Sequence, residues 1–223
     1  MQQNRQKIIL AVTVAVIAVL GWLTIVYITS LQNVTITYDS VNVSSLTLYK
    51  TIKAGSPITI GKPVKEITSN KTYKIRNGSY VLRPGGDKTS PTDIPLIVEG
   101  SAVVKNLDID YSATYLSQLA ASETSAINAA IASSNAKIPQ LYTIQAGYLY
   151  HHGEWYGTTL VYHGTDQLSS DTLRIVMHLD NGTWTSATNP PKIILTSTDN
   201  PTIPTEVLSG VNAISTDLPG VLR

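Results

Sequence analysis

The sequence predicts an N-terminal transmembrane helix, then a small all-β domain, then an α+β domain with a helix packed on an antiparallel sheet. Three observations lead there. Ile8 to Ile28 is a run of 21 residues without a charge; apolar residues alternate in short bursts from Val34 to about Asp110; and at Ser112 the spacing turns helical before strand-like runs resume. A chain of 223 residues, 43% of them hydrophobic, can bury one large or two small cores and is not disordered throughout. The absence of Cys removes disulfides, Cys-ligated zinc, iron–sulfur clusters and thiol nucleophiles. A formal net charge of +1 is not that of a dedicated nucleic-acid binder.

At about 1.5 Å per residue the apolar run makes a helix about 31 Å long, which matches a hydrocarbon core of about 30 Å. Thr13 and Thr24 can bond back to the carbonyl one turn earlier, and Trp22 and Tyr27 suit an outer membrane interface. Arg5 and Lys7 are the only charges before the run and Asp39 is the first after it. The positive-inside bias therefore puts residues 1–7 in the cytoplasm and the bulk of the chain outside. The run is longer than the about 7–15 apolar residues of a cleavable signal peptide, and Ile28-Thr29-Ser30 is a poor cleavage site, so an uncleaved signal anchor over 8–29 is expected. Its anchor residues are Ile8, Leu20, Trp22 and Tyr27, its partner is the lipid bilayer, and the expected localisation is the cell membrane, single-pass.

Over residues 32–110 the apolar positions Val34, Ile36, Tyr38, then Leu46, Leu48, then Tyr73, Ile75, then Ile94, Leu96, Val98 keep a period of two. That is the pattern of half-buried antiparallel strands. Asn77-Gly78 and Pro84-Gly85-Gly86 mark turns, because Gly and Asn take positive φ at low cost. A β-sandwich or open barrel follows.

Residues 111–223 form the second domain. Ser112 is the expected N-cap of a helix whose stripe is Leu116, Leu119, Ala120, Ile127, Ala130 and Ile131, ending near Lys137 with Pro139 as its stop. Strand-like runs follow at 142–150, 155–163, 171–179 and 183–187, with a further apolar run at 192–196. Asp180-Asn181-Gly182 signals a tight hairpin, since a type I′ turn needs positive φ at both central residues. A last short helix starts near Pro204 and buries Val207, Leu208, Val211 and Ile214. The charge also changes at the boundary: residues 30–110 carry 10 Lys+Arg and 7 Asp+Glu, residues 111–223 carry 4 and 8.

Gly182-x-Trp184, Pro190-Pro191, Ile193-Ile194-Leu195, Asp199-Asn200-Pro201-x-Ile203-Pro204, Val207-Leu208 and Val211-Asn212 resemble the end of exported, single-pass proteins of unknown function from Saccharibacteria-type bacteria. The resemblance covers about the last 45 residues. It implies a bacterial cell-surface setting and transfers no active-site residue. The element order of the second domain also resembles cystatin-like and NTF2-like folds, and fold likeness alone supplies no function.

All four His lie between 151 and 178. A turn at Gly153-Glu154 would pair His151 with Tyr156 and set Tyr156 beside His178. The two His would then stand roughly 10 Å apart at about 4.8 Å per strand, too far to share a zinc ion. No metal and no cofactor is expected. Between Lys50 and Lys88 nine Lys/Arg stand against Glu66 and Asp87. Lys62, Lys65, Lys71, Lys74, Arg76, Arg83 and Lys88 are the candidate anion-binding residues, for a wall polymer or DNA attracted without sequence specificity, provided they share a face. The alternative role of these cations is protection of strand edges. Gly55 to Lys62 fails as a phosphate loop, having five residues between its glycines and Pro63 where a hydroxyl is needed. There is no H-E-x-x-H and no G-x-S-x-G.

The functional expectation is a membrane-anchored, non-enzymatic binding or assembly module of the cell envelope, with an envelope protein or surface polymer as partner. Two alternatives stand beside it: an envelope hydrolase using His151, His152 or Glu154 at the 151–154 hairpin, and anion capture by the basic β domain.

Overall fold

The structure is a computed structural model that describes residues 2–53, 58–164 and 172–215, leaving aside the side chains of 2–11, 25, 26, 28 and 53. The chain divides into two compact units, Met1–Ile109 and Asp110–Arg223. Its class is mostly β-sheet with a few helices.

The first unit opens with α1 (Gln2–Thr29). No helix among the described residues is long and apolar enough to cross a membrane. The expected transmembrane anchor over 8–29 is thereby overturned, and with it the fold class that began with it, the bilayer partner, the signal-anchor assignment and the single-pass cell-membrane localisation. Of the four expected anchor residues, Ile8 lies outside the described side chains. Leu20 and Trp22 are exposed. Tyr27 meets Arg76, whose guanidinium stands 4.6 Å from its ring centroid, so a cation–π contact occupies the ring assigned to a lipid interface.

Seven strands follow: β1 (Leu31–Thr37), β2 (Ser45–Lys53), β3 (Thr59–Glu66), β4 (Thr72–Arg76), β5 (Gly78–Gly85), β6 (Ile94–Val98) and β7 (Val103–Asn106). They form two sheets, ordered β4-β1-β7 and β3-β2-β5-β6. β1 is antiparallel to β4 and parallel to β7. Val34 and Ile36 from one sheet meet Leu46, Leu48, Leu82 and Val98 from the other in a single dry core. The chain has no Phe, and tyrosines take the ring positions of this core with their hydroxyls turned to backbone. Tyr38 donates to Ile67 O at 2.8 Å, Tyr80 donates to Arg76 O at 2.8 Å, and Tyr73 accepts from Thr68 N–H at 2.9 Å. Each bond removes the penalty of burying a bare hydroxyl.

The second unit has three layers. α2 (Ala113–Ser134) starts where Ser112 accepts from Tyr115 N–H at 3.2 Å. It stops at Asn135, two residues before Lys137, and Pro139 sits inside a separate turn, α3 (Ile138–Leu141). The sheet is built from β8 (Tyr142–Ile144), β9 (Tyr148–Tyr150), β10 (Trp155–Tyr162), β11 (Leu173–Asp180) and β12 (Thr183–Ser186), in the order β12-β11-β10 with β8 and β9 both on the far side of β10. Asn181 (φ 48°) and Gly182 (φ 78°) make the β11–β12 turn. Alternation along β11 serves two helices. Ile175 and Met177 pack with Ile127 and Ile131 of α2, while Val176 packs with Val207, Leu208 and Val211 of α4 (Thr205–Asn212) on the opposite face. In the apolar run at 192–196 a lone bridge ties Lys192 to Arg174 of β11.

Arg174 fastens the α4 layer. Its guanidinium donates to Val211 O at 3.1 Å and Asn212 O at 3.2 Å, and also to Ile193 O. A cation on the last carbonyls of a helix adds a charged donor to them and meets the negative end of the helix dipole. Asn212 returns the tie, exchanging bonds of 3.0 and 2.7 Å with the backbone of Leu195. Arg174→Ala is expected to lower the stability of the folded chain by about 2 kcal/mol, measured by urea unfolding, because several carbonyls lose a charged donor together.

Candidate functional site

The feature that singles out one region of the second unit is an extra residue. Ile144 pairs with Leu160 and Tyr148 with Gly157, so four steps on one strand match three on β10. Gln145, Ala146 and Gly147 take up the surplus as a β-bulge, and β8 and β9 are one strand bent there. Thr158 Oγ1 donates to Gln145 O at 2.6 Å. The Tyr156 hydroxyl is hydrogen-bonded to the Thr158 side chain and to the backbone N–H of Gly147. The relay Gly147 N–H, Tyr156 Oη, Thr158 Oγ1, Gln145 O clips both ends of the bulge. Gly147 is required by space: a Cβ there would lie 2.2 Å from Gly157 O and 2.6 Å from Tyr156 Cζ.

Between this bent strand and α2 runs a cleft of about 760 Å³. On the helix side Ala113, Ser117, Ala121, Thr124 and Asn128 line it at steps of four and three, so their short side chains form one shallow face. On the sheet side every residue from Ile144 to Tyr150 lines it, together with Tyr156. No Asp, Glu, His, Lys or Arg is in the lining. Tyr148 is 61% exposed at its surface, whereas Tyr156 is buried beneath it. Burial raises the Tyr156 hydroxyl above the ordinary tyrosine value, and its bonds to Thr158 and Gly147 only partly oppose this. Burial, with Tyr148 nearby, pushes Tyr150 up to about 12. Both rings are neutral phenols at physiological pH. The arrangement can hold a neutral ligand by apolar contact and hydrogen bonds, and it supplies no general acid or base working near neutrality.

The hairpin that follows carries the predicted hydrolase residues. His151 (φ 44°), His152 (φ 50°) and Gly153 (φ 83°) make three successive left-handed residues, a conformation that costs roughly 1 kcal/mol or more for each non-Gly residue. His151 Nε2 lies 2.5 Å from Glu206 Oε1 at the start of α4. The His152 ring meets Tyr111 edge-on at 5.1 Å. The two His thus engage different elements. The hairpin pairs Tyr150 with Trp155, whose ring lies 4.2 Å from that of His178 opposite it, and Tyr156 pairs with Leu149 and Met177, two residues from the expected His151 and one from the expected His178. His163 lies beyond β10, its N–H on Leu141 O. No group of three metal-ligating side chains exists among the described residues.

The candidate anion-binding residues fall on both sheets of the first unit. Lys74 and Arg76 are on the outer face of β4, opposite in parity to the buried Tyr73 and Ile75. Lys62 and Lys65 are on β3, in the other sheet. Lys65 and Lys71 stand 4.9 and 5.7 Å from the Tyr73 ring. Arg83 is held by Asp93 through two bonds of 2.7 and 2.8 Å, and Lys88 Nζ is 3.5 Å from Asn42 Oδ1. The discarded loop at Gly55 lies partly outside the described residues.

Sequence reasoning did not find the cleft. Its one available signal was Gly147 inside a strand-like run, since an isolated Gly in a strand marks a bulge or a close backbone approach. Compared with protein-family models, with curated proteins and with solved structures, the chain matches none.

Two outcomes are expected at the bulge. Tyr156→Phe removes the hydroxyl between Thr158 and Gly147 and leaves the Gly147 N–H unmet, so stability falls by about 1–3 kcal/mol in urea unfolding. In alkali, Tyr150 keeps its proton in the folded chain up to about 12 while the unfolded chain loses it near 10. The unfolded state then binds fewer protons, and stability falls as pH rises between those values. Tyr150→Phe should flatten that decline, read as urea midpoints from pH 9 to 12.

Proposed function

We propose that this chain is a non-enzymatic binding module whose ligand site is the cleft between α2 and the bulged strand β8–β9. One observation carries the reading: a cleft of about 760 Å³ whose lining holds no ionisable acid or base other than phenols. Burying a net charge there without a partner would cost several kcal/mol, so the ligand is uncharged where it is enclosed. The short side chains of α2 leave the space, and the three tyrosines with Asn128 and Gln145 supply flat apolar surface and directional bonds.

Full-length chain carrying 3-fluorotyrosine, screened by fluorine NMR against neutral fragments, tests this. Fragments are expected to shift the signals of Tyr148, Tyr150 and Tyr156, and Ala121→Trp, which fills the cleft, is expected to abolish those shifts. No shift at these three rings, or shifts that survive Ala121→Trp, would remove the cleft as the site. The triple change of His151, His152 and Glu154 to Ala is expected to leave fragment affinity within about twofold, since none of the three lines the cleft.

A further inference from the structure

We propose that the occupant of the cleft is an extended, uncharged polypeptide segment that adds as a strand to the open edge of β8–β9; this rests on the binding reading above. β10 takes both β8 and β9 on one side, and among the described residues no strand pairs with their other side. The hydrogen-bond phase is fixed by Gln145 N–H on Thr159 O and His163 N–H on Leu141 O. In an antiparallel ladder the bonded pairs alternate with unbonded ones. Ile144, opposite Leu160, is in an unbonded pair, and its N–H and C=O turn away from β10. In β9 the same holds for Leu149. Leu179 N–H on Glu154 O assigns the even residues of β10 to β11, so Trp155 and Gly157 bond Tyr150 and Tyr148, and Leu149 between them faces outward.

Three further features fit a strand and not a compact small molecule. Seven consecutive residues, Ile144 to Tyr150, line the cleft, which happens when a cavity meets the edge of a strand and not one face of it. From Ala113 to Asn128 the helix wall is about 22 Å long at 1.5 Å per residue, the span of about six extended residues at 3.4 Å each. The walls carry no formal charge, so the matching segment carries none along that span. A groove between a sheet edge and a helix is a recurrent setting for such strand addition, in which backbone bonds give affinity and alternate side chains give selectivity.

Phage-displayed random octapeptides panned on the full-length chain are the probe. The expected result is enrichment of uncharged sequences that bind in an anisotropy assay, are displaced by Ala121→Trp, and weaken about tenfold when N-methylated on one set of alternate amides but not on the other. Ile144→Pro removes an N–H that takes no ladder bond and faces the open edge, so it is expected to lose about tenfold in peptide affinity. If no peptide is enriched while neutral fragments still shift those rings, the strand proposal falls and the binding reading stands. Peptides that tolerate methylation in both phases, or that still bind Ala121→Trp, overturn it as well. If Ile144→Pro does not fold, the two methylation phases on the unaltered chain decide the matter.

Discussion

The second unit depends on one hydroxyl. A strand with a residue too many must either slip its register or store the surplus, and a slip by one would turn every side chain of the edge to the wrong face. The Tyr156 hydroxyl stores it, by joining Gly147 and Thr158 and, through Thr158, Gln145. The same ring lies 6.4 Å edge-on from Trp184, whose indole N–H donates to Glu123 of α2 at 3.2 Å. The bend of the edge strand and the seat of the helix across it are therefore set through one aromatic contact. The cleft is the space that bend opens beside a helix face of Ala, Ser and Thr.

A chain without Phe must use Tyr wherever a core needs a six-membered ring, and every such ring brings a group that water would otherwise solvate. Both units answer in the same way, turning the hydroxyl onto backbone at a turn or irregularity. Tyr80 closes on Arg76, Tyr38 on Ile67, and Tyr73 receives Thr68 N–H. At Tyr73 burial raises the phenol, but the Thr68 bonds and the charges of Lys71 and Lys65 outweigh it and hold the group below the ordinary tyrosine value. Two of the cations that the sequence offered for an anion thus already face a ring that they polarise.

Local chemistry was legible where a residue type has one cheap conformation. Ser112 as a helix cap, Asn181-Gly182 as a tight turn and the two-residue period through Val34, Ile36, Leu46 and Leu48 could be read from the chain because each follows from short-range sterics or solvent contact. Pairing was not. The hairpin after Tyr150 closes one residue earlier than the Gly153-Glu154 turn suggests, because His151 and His152 accept left-handed backbone while held by Glu206 and Tyr111, contacts made by residues about 40 and 55 positions away. The bulge was hidden for the same reason: Gly147 is its one local sign, and Thr158 and Tyr156, which brace it, lie more than ten and about nine residues further on. The apolar run near the N-terminus pointed strongly to a bilayer, and no described helix meets the length and hydropathy that a crossing requires.

β11 carries two cores on one short run of residues, Ile175 and Met177 for one helix and Val176 for the other. Adding or deleting a single codon there would hand each helix its neighbour's packing surface at once, so the strand can diverge by exchange of side chains but not by change of length. The outer strand already holds one residue more than the stretch of β10 it faces. A change in chain length within this sheet is tolerated at its rim, where a bulge takes it up and the centre stays undisturbed.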